Sequence, residues 1–109
     1  MYLSGYRILW IQVIFDLPVL TKLQRKRAAG FRNALLDLGF EMVQFSVYQR
    51  FAADKFTADS YIDRISDLLP QEGKVHILVF TDKQFENIKT FNGYSRIKNK
   101  KNPAQLSLF

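Results

Sequence analysis

Between Ile8 and Phe15 almost every residue is apolar: Leu9, Ile11, Val13 and Phe15 fall at odd positions and Ile8, Trp10 and Ile14 at even ones, with Gln12 the polar exception. A two-sided run of β-branched and aromatic residues predicts a strand over Tyr6 to Phe15 that is covered on both faces. Asp16 and Pro18 end it. The period then lengthens. Leu20, Leu23, Ala28, Phe31, Leu35 and Leu38 recur at helical spacing, Thr21 with Gln24 forms a capping-box signal at the start, and Gly39 supplies the stop.

Phe40 to Phe51 alternates again, with Val43, Phe45 and Val47 on one face and Met42, Gln44, Ser46 and Tyr48 on the other, and reads as a second strand. Thr57 caps a shorter helix with the stripe Ala58, Tyr61, Ile62, Ile65, Leu68 and Leu69, closed by Pro70. Gln71, Glu72 and Gly73 turn the chain into a strand over Lys74 to Thr81, followed by a short turn or helix at Asp82 to Phe85. Two layouts are compatible with this order. In one, a weak last strand covers Asn87 to Asn92; in the other, which we prefer, Tyr48 to Phe56 doubles back so that Phe51 to Phe56 adds an edge strand and Lys74 to Thr81 comes last. The preferred layout is an α+β, ferredoxin-like βαββαβ sandwich over residues 1–93, with a basic tail over 94–109. Two helices cover only one face of such a sheet. The other face of the first strand is still apolar, which predicts a homodimer packed through the open sheet face.

Composition narrows the class. At 109 residues there is room for one core, and 48% hydrophobic with 15% aromatic residues excludes a disordered chain. The absence of cysteine excludes disulfide scaffolds and thiol catalysis and suits a reducing, cytoplasmic setting. The first apolar run is too short to span a bilayer, so no membrane partner is expected. A net charge of +6 points to a polyanion, and the charge is segregated. Residues 1–36 carry six basic residues against Asp16 alone, residues 37–82 four basic against eight acidic, and residues 83–109 six basic against Glu86.

Few residues offer chemistry. Asp16, in the string FDLPV, is placed to hold Mg²⁺ against a phosphate oxygen, or simply to start a turn before the helix. His76, the only histidine, reads as a satisfied sheet residue in preference to a general acid or base. Asp59, Asp63 and Asp67 share one helix face, and a solvated face is the simpler account of them than a metal. No Gly-rich phosphate loop or serine nucleophile motif is present. Lys22, Arg25, Lys26 and Arg32 lie opposite the apolar stripe of the first helix, with Arg27 at its boundary. They suit successive phosphates without base reading, and Arg50, Lys98, Lys100 and Lys101 extend the track.

The ordered set of FDLPV, the basic helix RKRAAGFRNALLDLGF and the strand MVQFSVYQR resembles the second core CRISPR-associated protein family, the small adaptation-stage partner of the spacer integrase. The resemblance covers residues 6 to 92, and FDLPV and QFSVYQR look most like the versions that accompany type II systems. It implies a ferredoxin-like homodimer and two activities of different classes. The first, ranked ahead here, is a double-stranded DNA-binding adaptor that bridges integrase dimers during spacer acquisition. The second is a Mg²⁺-dependent endoribonuclease or endonuclease, with Asp16 matching the family's strand-end metal ligand and catalytic carboxylate in both protomers.

In the tail, Gln105-Leu106-Ser107-Leu108-Phe109 alternates as an added strand would, and Leu106, Leu108 and Phe109 are expected to contact a partner protomer or the integrase. The same five residues also resemble the peptide by which bacterial polymerases and repair proteins enter the replication sliding clamp.

Overall fold

A computed structural model describes residues 7–93; the expectations for Lys98, Lys100 and Lys101 and for Gln105 to Phe109 lie outside the described residues. The described chain runs β1 (Leu9–Asp16), α1 (Lys22–Asp37), β2 (Glu41–Gln44), β3 (Val47–Ala52), α2 (Lys55–Ser66), β4 (Lys74–Thr81) and α3 (Asp82–Glu86). The four strands form one antiparallel sheet in the order β2-β3-β1-β4. This is the expected ferredoxin-like βαββαβ arrangement, with the short α3 added.

The most apolar strand takes the central position. Leu9, Ile11 and Val13 of β1 face Ala52, Arg50 and Tyr48 of β3 across one ladder and Thr81, Val79 and Ile77 of β4 across the other. Ile11, Val13, Phe31, Leu35, Phe40, Tyr48, Ala52, Ala58 and Ile65 close the core between this face and the helices α1 and α2. Phe15 ties it together, edge-on to Phe31 at 5.2 Å between ring centroids and stacked near Tyr48 at 5.7 Å.

Helix α1 begins and ends where its sequence dictates. The Thr21 side chain accepts from the Gln24 backbone N–H at 3.0 Å while the Gln24 side chain accepts from the Thr21 N–H, a complete capping box. At the other end Gly39 takes φ +87°, its N–H donates to Leu36 O, and the Phe40 N–H donates to Leu35 O, a Schellman closure. Phe40 therefore belongs to the helix cap and the core, not to a strand. The start of α1 is less covered than its stripe suggested, with Leu20, just before the cap, at 87% and Leu23 at 54% exposure.

The hairpin is where expectation and structure part. The chain reverses at Phe45–Ser46, between β2 and β3, and not beyond Tyr48; Phe51 lies inside β3 and Phe56 inside α2. Ser46 adopts φ 64°, and the β2–β3 register slips between Met42 and Gln44. Helix α2 is capped by Asp54, whose carboxylate accepts from the Thr57 N–H at 2.8 Å, so Thr57 is the donor and not the cap. It ends at Ser66, leaving Leu68 and Leu69 of the expected stripe beyond the helix and half exposed. No strand forms over residues 87–92; Asn87 instead caps α3.

The sheet face away from α1 and α2 is open along much of its length. Ile14, Phe51, Leu78 and His76 are exposed there, and Gln12 donates to Gln49 across the middle. One end is covered from within the chain. Trp10 stacks on Phe85 of α3 at 3.8 Å with the planes 8° apart, and its indole N–H donates to Asp82 Oδ1 at 2.8 Å.

Candidate functional site

Asp16 is the last residue of β1, paired in register with Lys74 of β4, and its side chain is exposed. It lies at the edge of a groove of about 430 Å³ between the end of β1, the start of α1 and the β2–β3 hairpin. From α1 come Arg25, Ala28, Ala29 and Arg32, and from the hairpin come Met42, Phe45, Ser46 and Tyr48. The two alanines keep that wall low. The hairpin is fixed to the site by a backbone bond, the Phe15 N–H donating to Ser46 O at 3.1 Å.

Gly73 presses on the other side of Asp16. It takes φ +92°, and a Cβ there would stand 2.6 Å from the Asp16 carbonyl oxygen and 2.8 Å from Leu17 Cδ2. Only glycine combines that backbone angle with that approach.

Of the basic residues proposed for nucleic acid, those on α1 share its exposed surface. Lys22, Lys26 and Arg32 are exposed and make no hydrogen bond or ion pair among the described residues. Arg25 sends Nη1 to Val19 O and Leu20 O, both at 3.1 Å, holding the preceding loop while leaving its other N–H groups unengaged. Arg27 lies 3.7 Å from Glu72 with both side chains well exposed, a pair too screened to fix either group.

Arg50 is a correction. It points to the helix side of the sheet, donates through Nη1 to Leu38 O at 2.6 Å and through Nε to Phe51 O at 2.9 Å, and lies 4.1 Å from the Tyr61 ring centroid. Its donors satisfy the C-terminal end of α1, so it leaves the basic track and joins the scaffold.

His76 is corrected too. It is exposed on the open face, pairs in register with Ile14, and has no hydrogen-bond partner among the described residues. It stands one residue pair from Asp16 on the same face. Asp59 is held by Lys55 at 2.8 Å, and Asp59, Asp63 and Asp67 are all exposed, so their helix face is a solvated one. The Asp54 carboxyl is held below its ordinary value of 3.8 by the backbone N–H and hydroxyl of Thr57. That is a helix cap at work, distant in role from the groove.

Sequence reading found Asp16, Arg25 and Arg32 singly and missed Phe45, which it placed within a continuous strand. Phe45 is 91% exposed at the turn beside Asp16. No local signal marked it: Gln44 and Ser46 are the polar positions of an alternation that runs straight through the turn.

A family model described as CRISPR associated protein Cas2 matches residues 9–88. The chain is similar to a protein of Paracidovorax avenae named CRISPR-associated endoribonuclease Cas2, at 53% identity over 107 residues that cover 98% of this chain and 99% of that one. Proteins of the same name from Flavobacterium psychrophilum and Parvibaculum lavamentivorans are 46% and 41% identical, over 98% and 93% of this chain and 93% and 100% of theirs. No helix among the described residues is long and apolar enough to cross a membrane.

Proposed function

The chain belongs to the CRISPR-associated protein Cas2 family, and on that premise we propose that it is a metal-dependent endoribonuclease that works as a homodimer. The names of its relatives favour this reading over the duplex-bridging role that the basic helix first suggested. The observation that carries it is the position of Asp16, an exposed carboxylate at the end of a rigid central strand, at the edge of a groove that Arg25 and Arg32 line.

The described residues of one chain offer no ready-made ion cage, because Asp16 is a single carboxylate and no ligand cluster accompanies it among them. The donor chemistry fits Mg²⁺ in another way. That ion is commonly held by one or two carboxylates plus substrate phosphates, which a pair of chains supplies with two copies of Asp16. When bound there, Mg²⁺ would polarise the phosphodiester and lower the pKa of a bound water. The residues of this chain do the rest: Arg32 and the free N–H groups of Arg25 orient the phosphate, and Gly73 with the β1–β4 ladder sets the depth of Asp16. Pairing of two open faces, with Ile14, Phe51 and Leu78 exposed on each, is the source of the second carboxylate.

The test is cleavage of a labelled single-stranded RNA by purified protein with Mg²⁺ or with EDTA, together with sedimentation. Loss of cleavage in Asp16→Asn with the dimer intact supports the reading; wild-type cleavage by that variant overturns it.

A second role in CRISPR adaptation, bridging the integrase on double-stranded DNA, is favoured by Lys22, Lys26 and Arg32 along α1, exposed and unpaired among the described residues. It needs charge and shape but no carboxylate, so spacer acquisition that survives Asp16→Asn separates it from hydrolysis.

A further inference from the structure

The groove beside Asp16 has two walls of different chemistry. Arg32 and Arg25 stand on the α1 side, Arg32 with no counter-ion among the described residues, while Phe45 and Met42 stand on the hairpin side. Phe45 is 91% exposed and Met42 56%. A lone exposed aromatic on a surface needs no explanation. This one differs because its backbone is held: Ser46 takes φ 64° and its carbonyl accepts the Phe15 N–H, which fixes the hairpin tip beside the end of β1. The ring is therefore presented at the groove, at the end of the strand that carries Asp16.

A groove of about 430 Å³ with one cationic and one aromatic wall is complementary to a nucleotide: an anionic phosphate joined to a flat, apolar-faced base. We propose that this groove receives one unpaired nucleotide of the substrate strand, with its base against the Phe45 ring and its phosphate at Arg32. The proposal rests on the ribonuclease reading for its substrate, and it makes Phe45 a specificity-determining residue and Arg32 a positioning one. A base inside a duplex has both faces stacked on its neighbours and cannot enter without being extruded. The groove accordingly selects single-stranded or locally opened RNA. Every base has a π face, so the selection is for unpairing and only weakly for sequence.

The experiment uses a single-stranded RNA with one 2-aminopurine, whose emission changes on stacking, bound to full-length Asp16→Asn protein so that binding is read without cleavage. The emission change is expected to saturate, to be absent with fully duplex RNA, and to vanish in an added Phe45→Ala with affinity about tenfold weaker. Phe45→Tyr restores both. Arg32→Gln should weaken binding and reduce the salt slope by about one phosphate contact. In the cleaving protein, Phe45→Ala should raise KM about tenfold and leave kcat within about twofold, the pattern of lost substrate binding and not of a damaged fold.

An unchanged emission and KM in Phe45→Ala overturns the proposal. So does a drop to a smaller species in sedimentation, which would assign the ring to a contact between protein chains. Stacking without any Mg²⁺-dependent cleavage by the wild type leaves the nucleotide groove standing and removes the ribonuclease reading; cleavage that ignores Phe45 does the reverse.

Discussion

The two ends of β1 are built from similar residues and finished in opposite ways. At the Trp10 end the indole is stacked on Phe85, its N–H is taken by Asp82, and α3 lies over the sheet. At the Asp16 end the carboxylate is exposed, Arg32 has no side-chain partner among the described residues, and Phe45 stands in solvent. Both ends belong to one strand, paired with β4 from Leu9 to Asp16 and with β3 from Leu9 to Ile14, so the contrast is not one between rigid and loose backbone. It separates satisfied groups, which stabilise the fold, from unsatisfied ones held in place, whose partners must come from outside the described chain.

That contrast is broken most directly at Asp16. Asp16→Asn should lower RNA cleavage by about a thousandfold or more while leaving thermal stability within about 0.5 kcal/mol, because an exposed carboxylate with no hydrogen bond contributes little to folding. Cleavage rates and a denaturant titration on the same preparation check both halves. Trp10→Ala should give the mirror image, a stability loss of about 2 kcal/mol for a half-buried ring with a lost hydrogen bond, and no change in cleavage by the remaining folded protein.

Arg50 sharpens the boundary. Arg50→Ala strips donors from Leu38 O and Phe51 O and removes the cation from the Tyr61 ring, which should cost on the order of 2 kcal/mol. Nucleic-acid affinity and its salt slope should stay the same, and a reduced slope would return Arg50 to the contact surface.

The smallest effect concerns Asp54. Its pKa is lowered in the folded state, chiefly by the Thr57 N–H, so its stabilisation is present above the ordinary value of 3.8 and is lost as pH falls through the lowered value. Asp54→Asn still caps the helix but does not titrate there. The stability difference between the two proteins should be constant at neutral pH and shift against the wild type only below about pH 4, as urea midpoints measured across that range would show.

How far these features were legible depends on whether the deciding physics is local. The capping box of Thr21 and Gln24, the Gly39 stop and the strand Lys74–Thr81 are each set by adjacent residues, and each was readable. The hairpin was hidden because its turn carries no glycine, proline or asparagine, and Val43, Phe45 and Val47 alternate straight through it. Arg50 was misplaced because charge was weighed ahead of alternation; Tyr48, Arg50 and Ala52 share one face, and two of the three are core residues. The groove could not be read as a unit, since β1, α1 and the hairpin meet there only through the fold. Asp16 itself was found by its strand-end position and its family resemblance, both carried by a short string.

Gly73 changes how variation in this chain should be interpreted. It occupies a loop, carries no functional group, and by ordinary standards would be filed as a tolerant surface position. Yet its missing methyl is what lets the chain lie against the Asp16 carbonyl, where a Cβ would come within 2.6 Å. A polymorphism at 73 is thus a change to the groove made from outside it. A survey of alleles confined to charged and aromatic residues would overlook the codon on which their alignment depends.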